Sequence, residues 1–239
     1  MGGGIDNLRE TIPAIGLKKG KVLLCDHNPQ WEDIAKQTIC ILHDILGDSA
    51  IDIQHVGSTA VKNIQAKPVI DIIVGVRDFA DVDKFSSTLE DNGFFFVGYE
   101  GKEGQPVYQC GEFDIVLKEM TFLTHYIHIV KFGGKQWNDY INMRDYLNNH
   151  PEEAKTYEKI KLESSRKNGE SLRSYHSDKK MIVALWIERA NEWKRKSMLI
   201  DNLFLVHYCH PNCKPFSEYY AITKRKSLFA GGKTGKRKS

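Results

Sequence analysis

The chain has 239 residues, of which 41% are hydrophobic and 27% charged, and its formal net charge is +3 at neutral pH. These proportions predict a soluble globular protein with one good core, and so mild a charge does not by itself indicate nucleic-acid binding. No apolar run approaches the roughly 20 residues of a membrane span, and the glycine-rich start has no apolar signal core. Five scattered cysteines do not form a disulfide framework, so we expect a cytoplasmic location without membrane contact.

Hydrophobic periodicity predicts an α+β fold, with a mixed sheet of five or six strands and a helical C-terminal half. The first helix is predicted over residues 30–46, because apolar residues recur at helical spacing from Trp31 onward and Gly47 ends the pattern. Strands are predicted at residues 22–25, 51–56, 69–76, 94–99, 107–110, 112–117 and 126–130. Further helices are predicted at residues 81–92, 137–148, 151–167 and 178–193.

A glycine-serine turn after the strand at 51–56 is the first candidate functional feature. Gly57 allows a tight turn and a close approach of backbone amides to an anion, and Ser58 and Thr59 add two hydroxyls. If the residues after Ser58 open a helix, its unpaired N–H groups favour a phosphate there. The turn therefore predicts a phosphate site.

The strand that follows carries a carboxylate among aliphatic residues. Alternation places Asp71 and Ile73 on one face of this strand and Ile70, Ile72 and Val74 on the other. A lone carboxylate is costly to bury without a cation or a hydrogen-bond donor. Asp71 is therefore a candidate metal ligand, and the alternative is a cap or an ion pair with Lys67 or Arg144.

Val56-Gly57-Ser58 and Asp71-Ile72 resemble the nucleotidyltransferase superfamily, whose pattern is a glycine-serine turn followed by an Asp-hydrophobic-Asp strand. More closely, the chain is similar to the GrpB (UPF0157-type) family, which carries this fold. The resemblance spans roughly residues 21–190 and implies a nucleotidyltransferase-like mixed sheet with flanking helices. Its other matching segments are residues 28–31, 124–130 and 143–147, Tyr175 and Lys179. It predicts a domain at 21–193, between extensions at 1–20 and 194–239.

The chain departs from the superfamily at Ile73, where an active enzyme carries the second carboxylate of its metal pair. Asp114, in a hydrophobic-Asp-hydrophobic segment, resembles the superfamily's third carboxylate. Asp71 and Asp114 would then share one Mg²⁺, because this ion often takes one or two carboxylates plus phosphates. The alternative for Asp114 is a solvent-facing position on an edge strand.

Four further residues are candidates for the site. His128 is a candidate to contact phosphate, act as a general base or bind metal, or else to be a half-buried strand histidine. Lys67, Arg144 and Lys179 are candidate anion ligands; arginine suits a bidentate contact, and its alternative is an ion pair with Asp71. For Lys179 the alternative is a solvated helix lysine.

The C-terminal extension holds two further patterns. Two cysteines and two histidines within residues 207–213 have zinc-ligand chemistry, although a second pair is missing and a loosely docked extension is the alternative. The basic tail from Lys224 to Lys238 has the composition of a disordered segment that contacts nucleic acid through phosphates or only adds solubility.

Two functions are therefore open. The first is an Mg²⁺-dependent nucleotidyltransferase that transfers a nucleotidyl group from a bound nucleotide to an acceptor. The second is a non-catalytic ligand-binding or interaction domain, favoured by Ile73, that has kept the phosphate turn. RNA contact through the tail is a third possibility.

Overall fold

The structure is a computed structural model. It describes residues 15–21, 23–101, 104–117, 119–168 and 172–208. In the last two helices, side chains are described up to residue 166 and from 180 to 199. The side chain of Lys179, the cysteine-histidine cluster and the basic tail lie outside these limits, and their roles stay predictions.

Eleven helices and strands make up the described chain, besides short 3-10 turns. The strands are β1 (Leu17–Lys18), β2 (Ala50–Val56), β3 (Ile70–Val76), β4 (Phe94–Glu100), β5 (Gln105–Asp114) and β6 (Glu119–Lys131). The helices are α1 (Gln30–Leu46), α2 (Ser86–Asp91), α3 (Lys135–Asn149), α4 (Pro151–Asn168) and α5 (Leu172–Tyr208). The predicted α+β class, a mixed sheet with flanking helices, is confirmed.

The six strands form one sheet in the order β2-β3-β6-β5-β4, and β1 pairs with β6. The pair β3–β6 is parallel and every other pair is antiparallel. In this register Asp71 lies beside Val56 on one neighbour and beside Tyr126 on the other. Ile73 lies beside His128. The sheet therefore brings the turn, the aspartate and the histidine into one neighbourhood.

The two faces of the sheet have different coverings. On one face, Ile70, Ile72 and Val74 pack with buried residues of α1 such as Trp31 and Leu42 in the main hydrophobic core. On the other face, Val56, Ile73 and Val130 pack against Trp137 of α3 in a small cluster. The predicted alternation along β3 is confirmed.

A third cluster lies beneath the segment that follows the glycine-serine turn. Val61 and Ile64 pack there with Tyr157 of α4 and Trp186 of α5. Because this cluster fixes α4 against the turn, it determines which helical side chains reach the cleft. No helix in the described ranges is long and apolar enough to cross a membrane. The cytoplasmic location stays a prediction.

Four predicted elements are merged, divided or reduced in the structure. The strands predicted at 107–110 and 112–117 are one strand, because Gly111, at φ 151°, accommodates a register shift within it. The helix predicted at 81–92 is divided into a 3-10 segment, Phe79–Lys84, and α2, since Phe85 leaves the helical conformation. The strand predicted at 22–25 is reduced, as far as described, to one bridge between Cys25 and Ala66.

Candidate functional site

The glycine-serine turn lies directly against the Asp71 carboxylate. Gly57 follows the last residue of β2 at φ 73°, a conformation that L side chains rarely adopt. A Cβ at this position would lie 2.3 Å from Asp71 Oδ2, well inside van der Waals contact. Glycine is therefore required both by the backbone and by the close approach to Asp71.

The segment after the turn does not open an α-helix. Ser58–Ala60 forms a single 3-10 turn of three residues, after which Val61 is extended. The condition for a helix N-terminus after Ser58 is therefore not met, and a helix dipole cannot support a phosphate there. Any anion at the turn must depend on side chains and local amides.

A buried lysine lies beside the turn. Lys161 of α4 is 3% exposed, and its Nζ donates to Ser58 Oγ and to the Gln65 carbonyl oxygen, both at 3.1 Å. Tyr157, one helical turn earlier, has its hydroxyl 3.2 Å from Ser58 Oγ, and its ring centroid lies 4.5 Å from Lys161 Nζ. The Lys161 amine thus lies beside the Ser58 hydroxyl.

Thr59 is turned toward the protein. It is 2% exposed, and its hydroxyl lies 2.9 Å from His55 Nε2. Burial lowers the pKa of His55 to about 4, with Asp71 opposing and Arg144 adding to this shift. The His55 ring is therefore neutral at neutral pH, and its bond to Thr59 stabilises the turn.

Arg144 of α3 supports the end of β2. Its guanidinium donates to Asp145 Oδ1 at 2.8 Å, and to Gln54 Oε1 and the His55 carbonyl oxygen at 3.0 Å each. The predicted alternative for Arg144 was an ion pair with Asp71, but the structure gives Arg144 an ion pair with Asp145. These contacts make Arg144 a positioning residue at the rim of the site.

Asp71 and His128 face each other above Ile73. The Asp71 side chain is 28% exposed, and its Oδ1 lies 3.7 Å from His128 Nε2. Ile73 is fully buried between Val56, Val130 and Trp137. The position of the missing second carboxylate is therefore an apolar packing position, with the His128 ring next to it.

Aromatic and amide side chains surround His128. Its ring stacks on Tyr126 and lies 5.4 Å, between centroids, from the ring of Tyr140. Its Nδ1 lies 3.3 Å from Gln105 Nε2 and 3.9 Å from Glu100 Oε2. Burial raises the pKa of the Tyr126 and Tyr140 hydroxyls, so both stay protonated at neutral pH.

Asp114 lies far from Asp71. In the register of the sheet, Asp71 is level with Tyr126 and Gln109, and Asp114 is five residues further along β5 (109 to 114), about 16 Å at the rise of a strand. Its carboxylate accepts from the amides of Val116 and Leu117, at 2.8 and 2.9 Å, in the β5–β6 turn. The expected sharing of one metal by Asp71 and Asp114 is therefore wrong.

One cleft of about 1480 Å³ connects the turn, β3, β6 and the helices. Seven of the nine predicted site residues line it: Gly57, Ser58, Thr59, Lys67, Asp71, His128 and Arg144. Lys161, Tyr157, Gln105, Glu100 and Tyr140 line it as well and are absent from the prediction. The sequence offered one signal for Tyr157 and Lys161: they are four residues apart on a helix, which places both side chains on one face.

The described residues fit a single metal ion better than a pair. Among them, no group of three or more histidine, cysteine, aspartate or glutamate side chains is placed to hold a metal. Asp71 nevertheless points one carboxylate into the cleft, and Mg²⁺ often takes one carboxylate together with phosphate oxygens. A two-metal arrangement does not fit these residues.

The turn, the aspartate strand and the cleft between them define an α+β protein with a mixed sheet and flanking helices. A profile of the GrpB protein family matches residues 21–189, and the chain belongs to this family.

Two relatives and one solved structure show the extent of the likeness. The glutamate-rich protein GrpB of Alkalihalophilus pseudofirmus is 37% identical over 71% of this chain and 95% of its own. UPF0157 protein YqkA of Bacillus subtilis is 29% identical over 74% of this chain and 49% of its own. The crystal structure of the conserved protein GrpB from Enterococcus faecalis aligns with a TM-score of 0.60 at 27% identity, covering 70% of this chain and 98% of that one.

Proposed function

We propose that the cleft binds a phosphate-bearing small molecule, specifically a nucleotide, with its phosphates at the Gly57–Ser58 turn. The observation that carries this proposal is the buried Lys161 ammonium, 3.1 Å from Ser58 Oγ on the cleft wall. Its hydrogen bonds to Ser58 Oγ and to the Gln65 carbonyl oxygen hold the Lys161 amine at the turn. A phosphate at Ser58 would be held by a charge-assisted hydrogen bond from a donor that is already in position.

The metal expected for this ligand is a divalent cation that arrives with the phosphates. Asp71 would supply one carboxylate to it, and the phosphate oxygens and water would complete its coordination. Because Ile73 is buried and Asp114 lies at the distant turn, the described residues offer too few carboxylates for a two-metal mechanism.

Nucleotidyl transfer is the reaction proposed for an acceptor held in the same cleft. Ile73 specifically favours a second candidate, in which the domain binds the ligand and does not transfer it. The two candidates share the binding site and differ in turnover. Incubation with radiolabelled nucleotide, followed by measurement of released pyrophosphate, separates the two candidates. Nucleotide binding without pyrophosphate release supports the non-catalytic candidate.

Nucleic-acid contact through the basic tail remains a separate proposal, whose signature is binding that weakens with salt.

The test of the binding proposal is calorimetric titration with ATP, GTP, CTP and UTP in the presence of divalent cation. Lys161→Met removes the ammonium and keeps much of the side-chain volume, so we expect nucleotide affinity to fall roughly tenfold to a hundredfold. Lys159→Met is the matched control, since Lys159 lies on the same helix with its side chain 76% exposed. Equal affinity in both variants, or no binding by the wild type, contradicts the proposal.

A further inference from the structure

His128 lies beside Asp71 and next to Ile73, the position of the missing second carboxylate. Ile73 and His128 are direct neighbours across the parallel pair β3–β6, so their side chains project on the same face. From there the imidazole reaches toward Asp71, with 3.7 Å between Nε2 and Oδ1. An imidazole on the adjacent strand thus lies next to the residue that replaces the second carboxylate of the superfamily pattern.

We propose that Asp71 and His128 together bind one divalent transition-metal ion. The phosphates of the nucleotide complete the coordination of this ion. This inference rests on the proposed function and names the metal class of that same site. It replaces the expected Mg²⁺, an ion that prefers oxygen ligands, with an ion that accepts imidazole.

The distance between the two side chains fits two ligands of one ion. A separation of 3.7 Å is too long for a hydrogen bond. Two bonds of about 2.1 Å that meet at 90° to 120° separate their ligand atoms by about 3.0 to 3.6 Å. A small rotation of either side chain therefore brings both atoms to one metal.

The groups around the far ring nitrogen determine which tautomer of His128 is available. Metal binding through Nε2 needs the tautomer with a proton on Nδ1, and proteins commonly hold that proton with a carboxylate. Glu100 Oε2 lies 3.9 Å from Nδ1 and is the carboxylate nearest to that proton. The Gln105 amide nitrogen, 3.3 Å from Nδ1, is a donor, so this amide must turn its oxygen toward Nδ1 when Nε2 binds the metal. The ring is also 7% exposed and stacked on Tyr126, which limits its rotation.

The shortage of other ligands makes metal and phosphate binding interdependent. The described residues supply no third histidine, cysteine, aspartate or glutamate to the ion. The remaining coordination positions must then be taken by phosphate oxygens and water. Metal and nucleotide are therefore expected to raise each other's affinity by the same factor.

The first test compares ions in a calorimetric titration of the full chain with ATP, using Mg²⁺, Mn²⁺ or Co²⁺. We expect ATP to bind roughly tenfold tighter with Mn²⁺ or Co²⁺ than with Mg²⁺. His128→Asn removes the nitrogen ligand, so ATP affinity should no longer differ between the ions. His128→Asp provides a second carboxylate beside Asp71, so the preference should move toward Mg²⁺. His43→Asn, at an exposed position of α1, is the control and keeps the wild-type order.

The second test reads the coordination directly. Electron spin echo measurements on the wild type with bound Mn²⁺ and ATP are expected to show coupling of Mn²⁺ to a histidine ¹⁴N. This coupling should change when the protein is labelled with ¹⁵N-histidine. The labelled wild type keeps the test valid if His128→Asn proves unfolded. ATP binding that is indifferent to the ion, or Mn²⁺ without nitrogen coupling, overturns the metal assignment alone. Absence of nucleotide binding with every ion overturns the proposed function as well.

Discussion

The two faces of strands β3 and β6 show how one pair of strands can serve both stability and a binding site. On the α1 face, Ile72 and Ile127 are fully buried in a continuous apolar core. On the α3 face, Asp71 and His128 open onto the cleft, and only Ile73 and its small cluster are apolar. Because side chains alternate along a strand, the core can fix the geometry of the site without sharing residues with it.

The two histidines of β6 show the same difference between the core face and the cleft face of the sheet. His125, three residues from His128, lies on the α1 face, where its ring nitrogens are within 3.0 Å of the Thr38 hydroxyl and 2.9 Å of the Thr124 hydroxyl. Burial lowers its pKa to about 4. His125 is thus held by protein partners, whereas His128 faces Asp71 and the cleft.

The largest effect is expected from the core face. Leu42→Ala removes a fully buried side chain, so it should lower the free energy of unfolding by about 2 to 5 kcal/mol. Urea denaturation measures the loss. Nucleotide affinity of the folded variant should be unchanged, and a parallel loss of affinity would show that the two faces are not independent.

A large effect on the cleft is expected from Gly57→Ala. The variant combines a strained φ with a Cβ only 2.3 Å from Asp71 Oδ2. Gly93→Ala is the matched control, because Gly93 has φ 82° and nothing within 4 Å of the added Cβ. We expect about 1 to 2 kcal/mol of destabilisation from the control and more from Gly57→Ala.

Nucleotide titration of both variants completes this comparison. Binding should be lost in Gly57→Ala and kept in Gly93→Ala, since only the first displaces Asp71. Equal stability and equal affinity in the two variants would contradict the close approach of the turn to Asp71.

A pH effect of intermediate size is expected from His125. Its pKa falls from 6.5 to about 4 on folding, so the unfolded chain binds more protons between these values. Its contribution to stability is therefore complete above pH 6.5 and is lost as the pH falls toward 4. The slope reaches up to about 1.4 kcal/mol per pH unit for one proton. Urea denaturation of His125→Gln across this range should show a shallower slope, and an unchanged slope would refute this role.

The smallest effect is expected from Asp114→Asn. Asp114 accepts two backbone hydrogen bonds in the β5–β6 turn, and an asparagine oxygen can accept them as well. We expect a stability change within about 0.5 kcal/mol and unchanged nucleotide affinity. Asp71→Asn, measured beside it, should weaken metal-dependent binding. If both variants bind alike, the assignment of Asp71 loses its support.

Local patterns in the sequence predicted much of the fold and part of the site. The period of α1, the alternation along β3 and the glycine-serine turn are short-range features, and each lies where it was predicted. Asp114 was misplaced because its position depends on strand register, which a hydrophobic-Asp-hydrophobic segment does not specify. Lys161 was missed because a helix lysine is usually solvated, and only the packing of α4 beneath the turn buries it.

The most direct measurement is a crystal structure of the chain with a bound nucleotide and Mn²⁺. Our account predicts a phosphate oxygen within hydrogen-bonding distance of Lys161 Nζ and Ser58 Oγ, and a metal ion between that phosphate, Asp71 and His128. A nucleotide bound away from the Gly57–Ser58 turn, or phosphates that contact neither Lys161 nor Ser58, would contradict it.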